Sequence, residues 1–427
     1  MNEPPITVGL LGCGTVGTGV VQLLTEHADE IAARVGAPVR VGPVAVRDAS
    51  RPREVTPEHL TTDPDDVVAA DGVDVVIEVM GGVDEARALV TRALERGRSV
   101  VTANKELIAS HGPELRSLAT ERGARLEYEA AVAGGIPIIK PLRESLAGDR
   151  IRRVLGILNG TTNYMLTRMS DEGSTFEEAL AEAQALGYAE ADPSADVDGY
   201  DAASKTAILA SLAFDADVRA EDVHCDGIRA VTAGDIAHAE RMGYVVKLLG
   251  IAEEVDGGIS ARVHPSLVPR THPLASVREA FNAVFTEGDA SGELMFYGRG
   301  AGSLPTASAV LGDLVTAARA LRSGERPNGH TVSRKPIRPF AEVDVQSYVL
   351  LDVVDASGVL AEVASCFGAN KVSIKSVWQE GHDDLAQLLL ITHRAQEAAL
   401  QATLADLRGL SVVRDVASVM RVEGGEL

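Results

Sequence analysis

A six-residue apolar run, Ile6–Leu11, leads directly into Gly12-Cys13-Gly14-Thr15-Val16-Gly17 and then into a segment with apolar residues at Val20, Val21, Leu23 and Leu24. Strand, GxGxxG and helix in that order constrain the fold of this chain more than any other feature. Each glycine has its own physical task. Gly12 permits a tight turn, Gly14 lets the backbone approach a pyrophosphate, and Gly17 lets helix pack on strand. The helix N-terminus then offers free N–H groups and a positive dipole end to phosphates. Cys13 inside this loop reads as a small packed residue, not a nucleophile.

Further strands are expected over Val39–Val46, Val73–Val79 and Ser99–Thr102, alternating with helical segments near Asp84–Arg96 and Glu106–Arg122. That alternation marks an α/β, doubly wound, Rossmann-type domain, assigned to residues 1–129. The second strand ends in Arg47-Asp48. An acidic residue there would bind a ribose 2′-hydroxyl, whereas an arginine meets a 2′-phosphate. Arg47 comes first, so the reading leans to NADP over NAD; the alternative is an ordinary exposed loop arginine.

From Arg125 the pattern changes. A strand ends in the glycine-rich bend Val132-Ala133-Gly134-Gly135-Ile136, and a helix through Ile138–Leu146 follows. Residues 130–300 are assigned to an α+β substrate and dimerisation domain, with a strand pair expected near Ile259–Pro269 and Phe281–Glu287. Residues 301–322, with a helix over Thr306–Leu321, return to the nucleotide domain. Residues 323–344 lie in a linker suggested by the Arg, Pro, Gly and Ser content of Arg322–Pro339. The last unit, 345–427, reads strand, helix, strand, strand, helix, strand, which is the ferredoxin-like order.

Charge and cysteine usage narrow the partners. A net charge of −22 argues against nucleic acid or an anionic membrane. No segment approaches the roughly 18 apolar residues needed to span a bilayer. The N-terminus lacks a secretion pattern, and Cys13, Cys225 and Cys366 are too dispersed for a zinc ribbon. A cytoplasmic location is expected.

Seven lysines stand against 33 arginines, so a lysine at a particular place is there for its own compact charge and adjustable chemistry. Lys105, in Thr102-Ala103-Asn104-Lys105, follows a parallel strand at the edge that faces ligands in open α/β sheets. A cation is poorly placed at a helix N-terminus, so something else favours it there. Gly187–Lys205 holds five carboxylates, Glu190, Asp192, Asp196, Asp198 and Asp201, and one cation, Lys205. Asp201 and Lys205 are spaced i,i+4 and share a helix face with or beside Ile208, Leu209 and Leu212. The plain reading is a structural ion pair. The functional one is a lysine held by its partner while a substrate oxygen completes its hydrogen bonds. Glu190 and Asp196 flank the Pro193 turn, where a substrate ammonium would find a carboxylate; the alternative is a solvated acidic face.

At this point the chain resembles the homoserine dehydrogenases over essentially its whole length. The motifs are GCGTVG at Gly12–Gly17, TANK at Thr102–Lys105, EAAVAGGIPI at Glu129–Ile138, GILNGTTNYML at Gly156–Leu166, GYAEADPSADVDGYDAASK at Gly187–Lys205 and GRGAGSLPTASAVLGDL at Gly298–Leu314. The resemblance implies oxidation of L-homoserine by NAD(P)⁺ to L-aspartate 4-semialdehyde, reversibly, in threonine, methionine and isoleucine biosynthesis. It implies that Lys105 and Lys205 flank the reacting oxygen, with Lys205 as proton relay, Asp201 holding it, and Lys105 orienting substrate and nicotinamide. Glu190 would bind the substrate ammonium with Asp196 nearby. Thr15, Val16, Gly187 and Gly302 would line the cofactor beside Gly12, Gly14 and Gly17. A monovalent cation, commonly sodium, would sit at Glu129, Val132, Gly134 and Ile136. The C-terminal unit looks like an ACT domain, a module that binds amino acids, which implies threonine inhibition. Its turn Asp355-Ala356-Ser357-Gly358 keeps the glycine but lacks the proline often found before it. Family members are homodimers or homotetramers.

Two other functions compete with this reading. An aspartate-semialdehyde dehydrogenase-like enzyme needs a nucleophilic cysteine, and none of the three is well placed. A non-catalytic nucleotide-binding amino-acid sensor does not account for both Lys105 and Lys205.

Overall fold

The computed structural model describes residues 3–53, 55, 57–326, 335–382 and 385–424, so residues 327–334 of the expected linker lie outside the described residues. The chain divides into two compact units: Met1–Val154, Ala207–Ala220 and Asn282–Arg334 form the first, and Leu155–Thr206, Glu221–Phe281 and Lys335–Leu427 the second.

In the first unit, β1 (Ile6–Leu11), β2 (Val39–Ala45), β3 (Leu60–Thr61), β4 (Val75–Glu78), β5 (Ser99–Thr102) and β6 (Leu126–Glu127) form a parallel sheet in the order β3-β2-β1-β4-β5-β6. The order reverses between β1 and β4, the point at which doubly wound sheets bind ligands. β1, β4 and β5 are buried along their whole length, which is why they read as unbroken apolar runs rather than alternating ones. The helix Ser303–Ser323 adds Ala307, Val310, Leu314 and Ala317 to the core that holds Val8, Leu10, Val20 and Val101. Residues 130–154 and 282–300, which the sequence reading gives to the substrate domain, lie in this first unit. Asp313 on the Ser303–Ser323 helix is one reason: it accepts the Glu129 N–H at 2.7 Å and pairs with Lys140 at 2.8 Å.

In the second unit, β7 (Tyr244–Val255), β8 (Gly258–Pro269), β9 (Asp344–Val354), β10 (Ile374–His382), β11 (Leu385–Thr392) and β12 (Val413–Val422) follow one another along a sheet as β7-β8-β12-β9-β11-β10. The strand pair expected near Ile259–Pro269 and Phe281–Glu287 does not form. β8 pairs with β7, over twelve residue pairs, and not with the strand Phe281–Gly288. The cause is local: Asp256 and Gly257 both adopt positive φ, 47° and 76°, and close a two-residue hairpin. Asp-Gly between apolar runs is a strong hairpin signal because that turn matches the strand twist.

Helices Val359–Ala369 and Glu397–Arg408 complete the expected strand-helix-strand-strand-helix-strand order in the C-terminal segment. They cover one sheet face through Val363, Phe367, Leu400 and Leu404. The segment does not stand alone, because β12 pairs in parallel with β8 at Ser266–Arg421 and Leu267–Val422. Charges are buried at that seam. Arg262 is fully buried and reaches Glu253 at 2.6 Å and Glu423 at 3.0 Å. Arg421 reaches Glu397 at 2.5 Å and Asp226 at 3.3 Å. The Phe340 ring takes both guanidiniums, at 5.8 Å from Arg262 and 5.3 Å from Arg421. Removing one member strands its partners in low dielectric. Arg262→Met is therefore expected to destabilise the protein by about 3–5 kcal/mol, read as a fall in the urea midpoint; a midpoint equal to wild type would show that the seam carries no stability.

Candidate active site

The glycine loop belongs to the first unit. Gly12 has φ +99°, and a Cβ there would fall 2.8 Å from the Val79 carbonyl oxygen. A Cβ on Gly17 would lie 2.3 Å from the Gly12 carbonyl oxygen, so helix and strand could not close. Gly14 is exposed and meets open space where a side chain would be. The helix Thr15–Glu26 has no side-chain N-cap and no acidic residue in its first turn. Its first N–H groups are thus left to an anion, and the loop fits a dinucleotide pyrophosphate. Ser303 Oγ donates to the Thr15 carbonyl oxygen at 2.7 Å, which sets Gly302, at φ +127°, against this loop. Cys13 is buried, as a packed residue should be. Arg47 is exposed two residues beyond β2. Asp48 Oδ1 accepts from Ser50 N at 2.8 Å and from Ser50 Oγ at 2.6 Å.

Lys105 is the first residue of the helix Lys105–Arg122, at the carboxyl edge of β5. A relay fixes it. Buried Glu78 accepts from Thr102 Oγ1 at 2.6 Å; Thr102 Oγ1 accepts the Asn104 N–H at 3.0 Å; Asn104 caps the helix through Leu107 N at 3.1 Å. Burial pushes the Glu78 carboxyl up, while its Thr102 and backbone hydrogen bonds pull it down. Glu78 escapes a sequence reading because a carboxylate ending an apolar strand looks like any strand terminus. Lys105 Nζ lies 3.9 Å from Glu106 Oε1.

In the second unit, Leu158 and Asn159 follow the strand Ile151–Ile157 and lead into the helix Gly160–Glu172. Lys205 Nζ donates to Asp201 Oδ2 at 2.7 Å and to the Leu158 carbonyl oxygen at 2.7 Å. The two side chains are only 12% and 10% exposed. Asn159 Nδ2 donates to Asp196 Oδ1 at 2.6 Å and to Asp201 Oδ2 at 2.9 Å. Burial pushes the Asp196 carboxyl up and the Asp201 charge adds to this, whereas the Asn159 hydrogen bond opposes it. Thr161 Oγ1 donates to the Tyr188 carbonyl oxygen at 2.8 Å and so ties the Gly187 turn, at φ +77°, to the same helix start. Glu190 is exposed, and its carboxylate has no hydrogen bond or ion pair among the described residues. The remaining carboxylates are spent elsewhere: Asp192 accepts the Ser194 N–H at 3.1 Å, and Asp198 pairs with Arg229.

Glu129 is buried, and its carboxylate accepts three backbone N–H groups, from Ile138 at 2.6 Å, Ile139 at 2.7 Å and Lys140 at 2.9 Å. Ala133 and Gly134, both at φ 55°, turn the chain between Val132 and Ile136.

Comparison with known proteins decides the family. Residues 12–129 match the model of the homoserine dehydrogenase NAD-binding domain, and residues 137–315 match that of homoserine dehydrogenase. The homoserine dehydrogenase of Corynebacterium glutamicum is 50% identical over 98% of this chain and 96% of its own. The chain belongs to the homoserine dehydrogenase family. That of Mycobacterium tuberculosis is 49% identical over 99% of both chains. The crystal structure of the Thiobacillus denitrificans homoserine dehydrogenase superposes with a TM-score of 0.93 at 41% identity, over 99% of each chain. A hyperthermophilic archaeal homoserine dehydrogenase, solved with NADPH, has a TM-score of 0.64 at 29% identity; it spans 76% of this chain and 99% of its own. The function is that of an NAD(P)-binding homoserine dehydrogenase, an oxidoreductase of amino-acid biosynthesis.

The helix Gly160–Glu172, capped by Asn159, also rests on a buried lysine that spacing does not reveal. Lys247 on β7 is 2% exposed and donates to Asn163 Oδ1 at 2.9 Å and to the Val277 carbonyl oxygen. Burial pulls its pKa down to about 7, with the Arg278 charge adding to the effect. Above that value the folded lysine is neutral while the unfolded one stays protonated up to its ordinary pKa of about 10.4. The unfolded chain then binds more protons, so folding stability should rise as pH increases from about 7 to about 10, by about 1.4 kcal/mol per unit from this group. Unfolding free energies of Lys247→Met across that range should show the rise reduced by one proton's share; an unchanged slope would mean Lys247 is not the titrating group.

Proposed function

We propose that Lys205 moves the proton and Lys105 orients the substrate in the NAD(P)-dependent interconversion of L-homoserine and L-aspartate 4-semialdehyde. The observation that supports this reading most is the donor count at Lys205. An ammonium has three N–H groups. Asp201 and the Leu158 carbonyl oxygen take two, and among the described residues Lys205 has no third hydrogen-bond partner. The third is left for the oxygen on C4 of the substrate. In the direction of aldehyde reduction Lys205 gives its proton to that oxygen as it becomes a hydroxyl; in the reverse direction it takes the proton back. Asp201 keeps the amine in place in both. When bound, the nicotinamide supplies the hydride or accepts it. Glu190 holds the substrate ammonium, for which its unpaired carboxylate is suited, and Asp196 adds negative charge nearby.

NADP is favoured over NAD. Asp48 is drawn into its own turn by Ser50, which leaves Arg47 as the group beyond β2 suited to a 2′-phosphate. A monovalent cation such as sodium is assigned to the bend at Glu129, Val132, Gly134 and Ile136. The Glu129 carboxylate is already engaged by backbone N–H groups, so the cation would rest on main-chain oxygens, a donor set suited to a hard ion. The C-terminal segment is read as an ACT domain that takes threonine. It lies beyond the matched family models, which end at residue 315, and Gly358, at φ +94°, keeps its first strand-to-helix turn. Assembly as a homodimer or homotetramer belongs to the same proposal.

Purified protein with homoserine and NADP⁺ should generate reduced cofactor, and Lys205→Ala should lower kcat by roughly 10²–10⁴-fold, the range for loss of a proton-transfer group, while the KM for NADP⁺ stays near wild type. A variant of normal kcat and lowered melting temperature would reduce Lys205 to a structural pair. Arg47→Ala should raise the KM for NADP⁺ by about tenfold, the weight of one charge-assisted hydrogen bond, with little change for NAD⁺; equal effects on both cofactors would remove Arg47 from their discrimination.

A further inference from the structure

The Asn159 amide touches both carboxylates beside Lys205. It is 5% exposed, and every hydrogen-bonding capacity of its amide is used. An amide has two N–H donors and two acceptor lone pairs. One donor goes to Asp196 Oδ1 and one to Asp201 Oδ2, at 2.6 and 2.9 Å. The oxygen accepts from Thr162 N at 2.8 Å and from Thr162 Oγ1 at 2.9 Å. The amide has one workable orientation here, since the carboxylates accept and the Thr162 N–H only donates. The residue before it, Leu158, gives its carbonyl oxygen to Lys205 Nζ. A strand end of two residues thus holds both members of the ion pair.

We infer that Asn159 is a positioning residue for the reaction, a bridge whose two N–H groups hold Asp196 and Asp201 apart and aim Asp201 at Lys205. This rests on the assignment of Lys205 as proton relay. Capping alone does not account for the residue. Asn, Asp and Ser cap helices about equally well, so a cap of the helix Gly160–Glu172 could be any of the three. Only Asn among them supplies two donors to two carboxylates. Asp would keep the cap and the shape but add a third negative charge to Asp196 and Asp201, where Lys205 is the paired cation. Ser would keep the cap and a single donor.

The test is a graded series read at saturating cofactor. Asn159→Asp should lower kcat for homoserine oxidation roughly 10²-fold, the scale of a small misplacement of a catalytic group, with the KM for NADP⁺ within twofold of wild type. Asn159→Ser should fall between the two, and both variants should melt within a few degrees of wild type because the cap survives. The acid limb of the kcat/KM profile should move up by about one pH unit in Asn159→Asp, since a lost hydrogen bond and an added like charge both raise the Asp196 carboxyl. If wild type turns over and all three proteins share one kcat and one pH profile, Asn159 is a helix cap and the inference fails. A wild type with no turnover would instead overturn the lysine assignment on which it rests. If Asn159→Asp does not fold, Asn159→Ser decides alone: wild-type kcat and profile overturn the bridge, and a partial loss with the upward shift supports it.

Discussion

An ammonium taken almost wholly out of water must have its charge and its N–H groups matched, and the second unit is organised around that requirement at Lys205. Isolated burial of such a charge costs several kcal/mol even after relaxation. Asp201 offsets the charge from one helical turn away. One turn of helix is not enough, because an exposed i,i+4 pair is worth only tenths of a kcal/mol and does not fix a geometry. The end of the strand Ile151–Ile157 supplies what the helix lacks: a carbonyl oxygen at Leu158 for the amine, and an amide at Asn159 for the carboxylate. Asp196 is then held in a neighbourhood of like charge by the same amide. Among the described residues the compensation stops one hydrogen bond short of complete.

The first unit solves a complementary problem at the edges of its parallel sheet. The helix Thr15–Glu26 leaves its first N–H groups uncapped, which is unfavourable unless an anion or water takes them. The helix Lys105–Arg122 is treated in the opposite way. Its cap is complete, and buried Glu78 steadies the approach through Thr102. The uncapped helix end suits an anion such as phosphate, and the capped one begins with Lys105.

Buried charge also joins the C-terminal segment to the hairpin β7–β8. Arg262 and Arg421 each hold two carboxylates, and Phe340 lies between them. Such a seam is costly to form from water and costly to break once formed. The archaeal relative that spans 76% of this chain shows that the family fold exists in a shorter form.

Much of this was legible in residue order. The glycine loop, the alternating strands of the first unit, the strand-helix order of the C-terminal segment and the i,i+4 pair Asp201–Lys205 follow from local rules: period, turn chemistry and helical spacing. The Asp256-Gly257 turn was legible too, yet the sequence reading gave Ile259–Pro269 and Phe281–Glu287 as the strand pair, whereas Gly258–Pro269 pairs with Tyr244–Val255. What tertiary structure alone decided are the contacts between residues far apart in the chain. Asn159 meets Asp196 and Asp201 across 37 and 42 positions, Glu78 meets Thr102 across 24, and Arg262 meets Glu423 across 161. No periodicity encodes these. A polar side chain's partner is set by where folding removes water, and only the packed chain determines which donors and acceptors are left to face each other there.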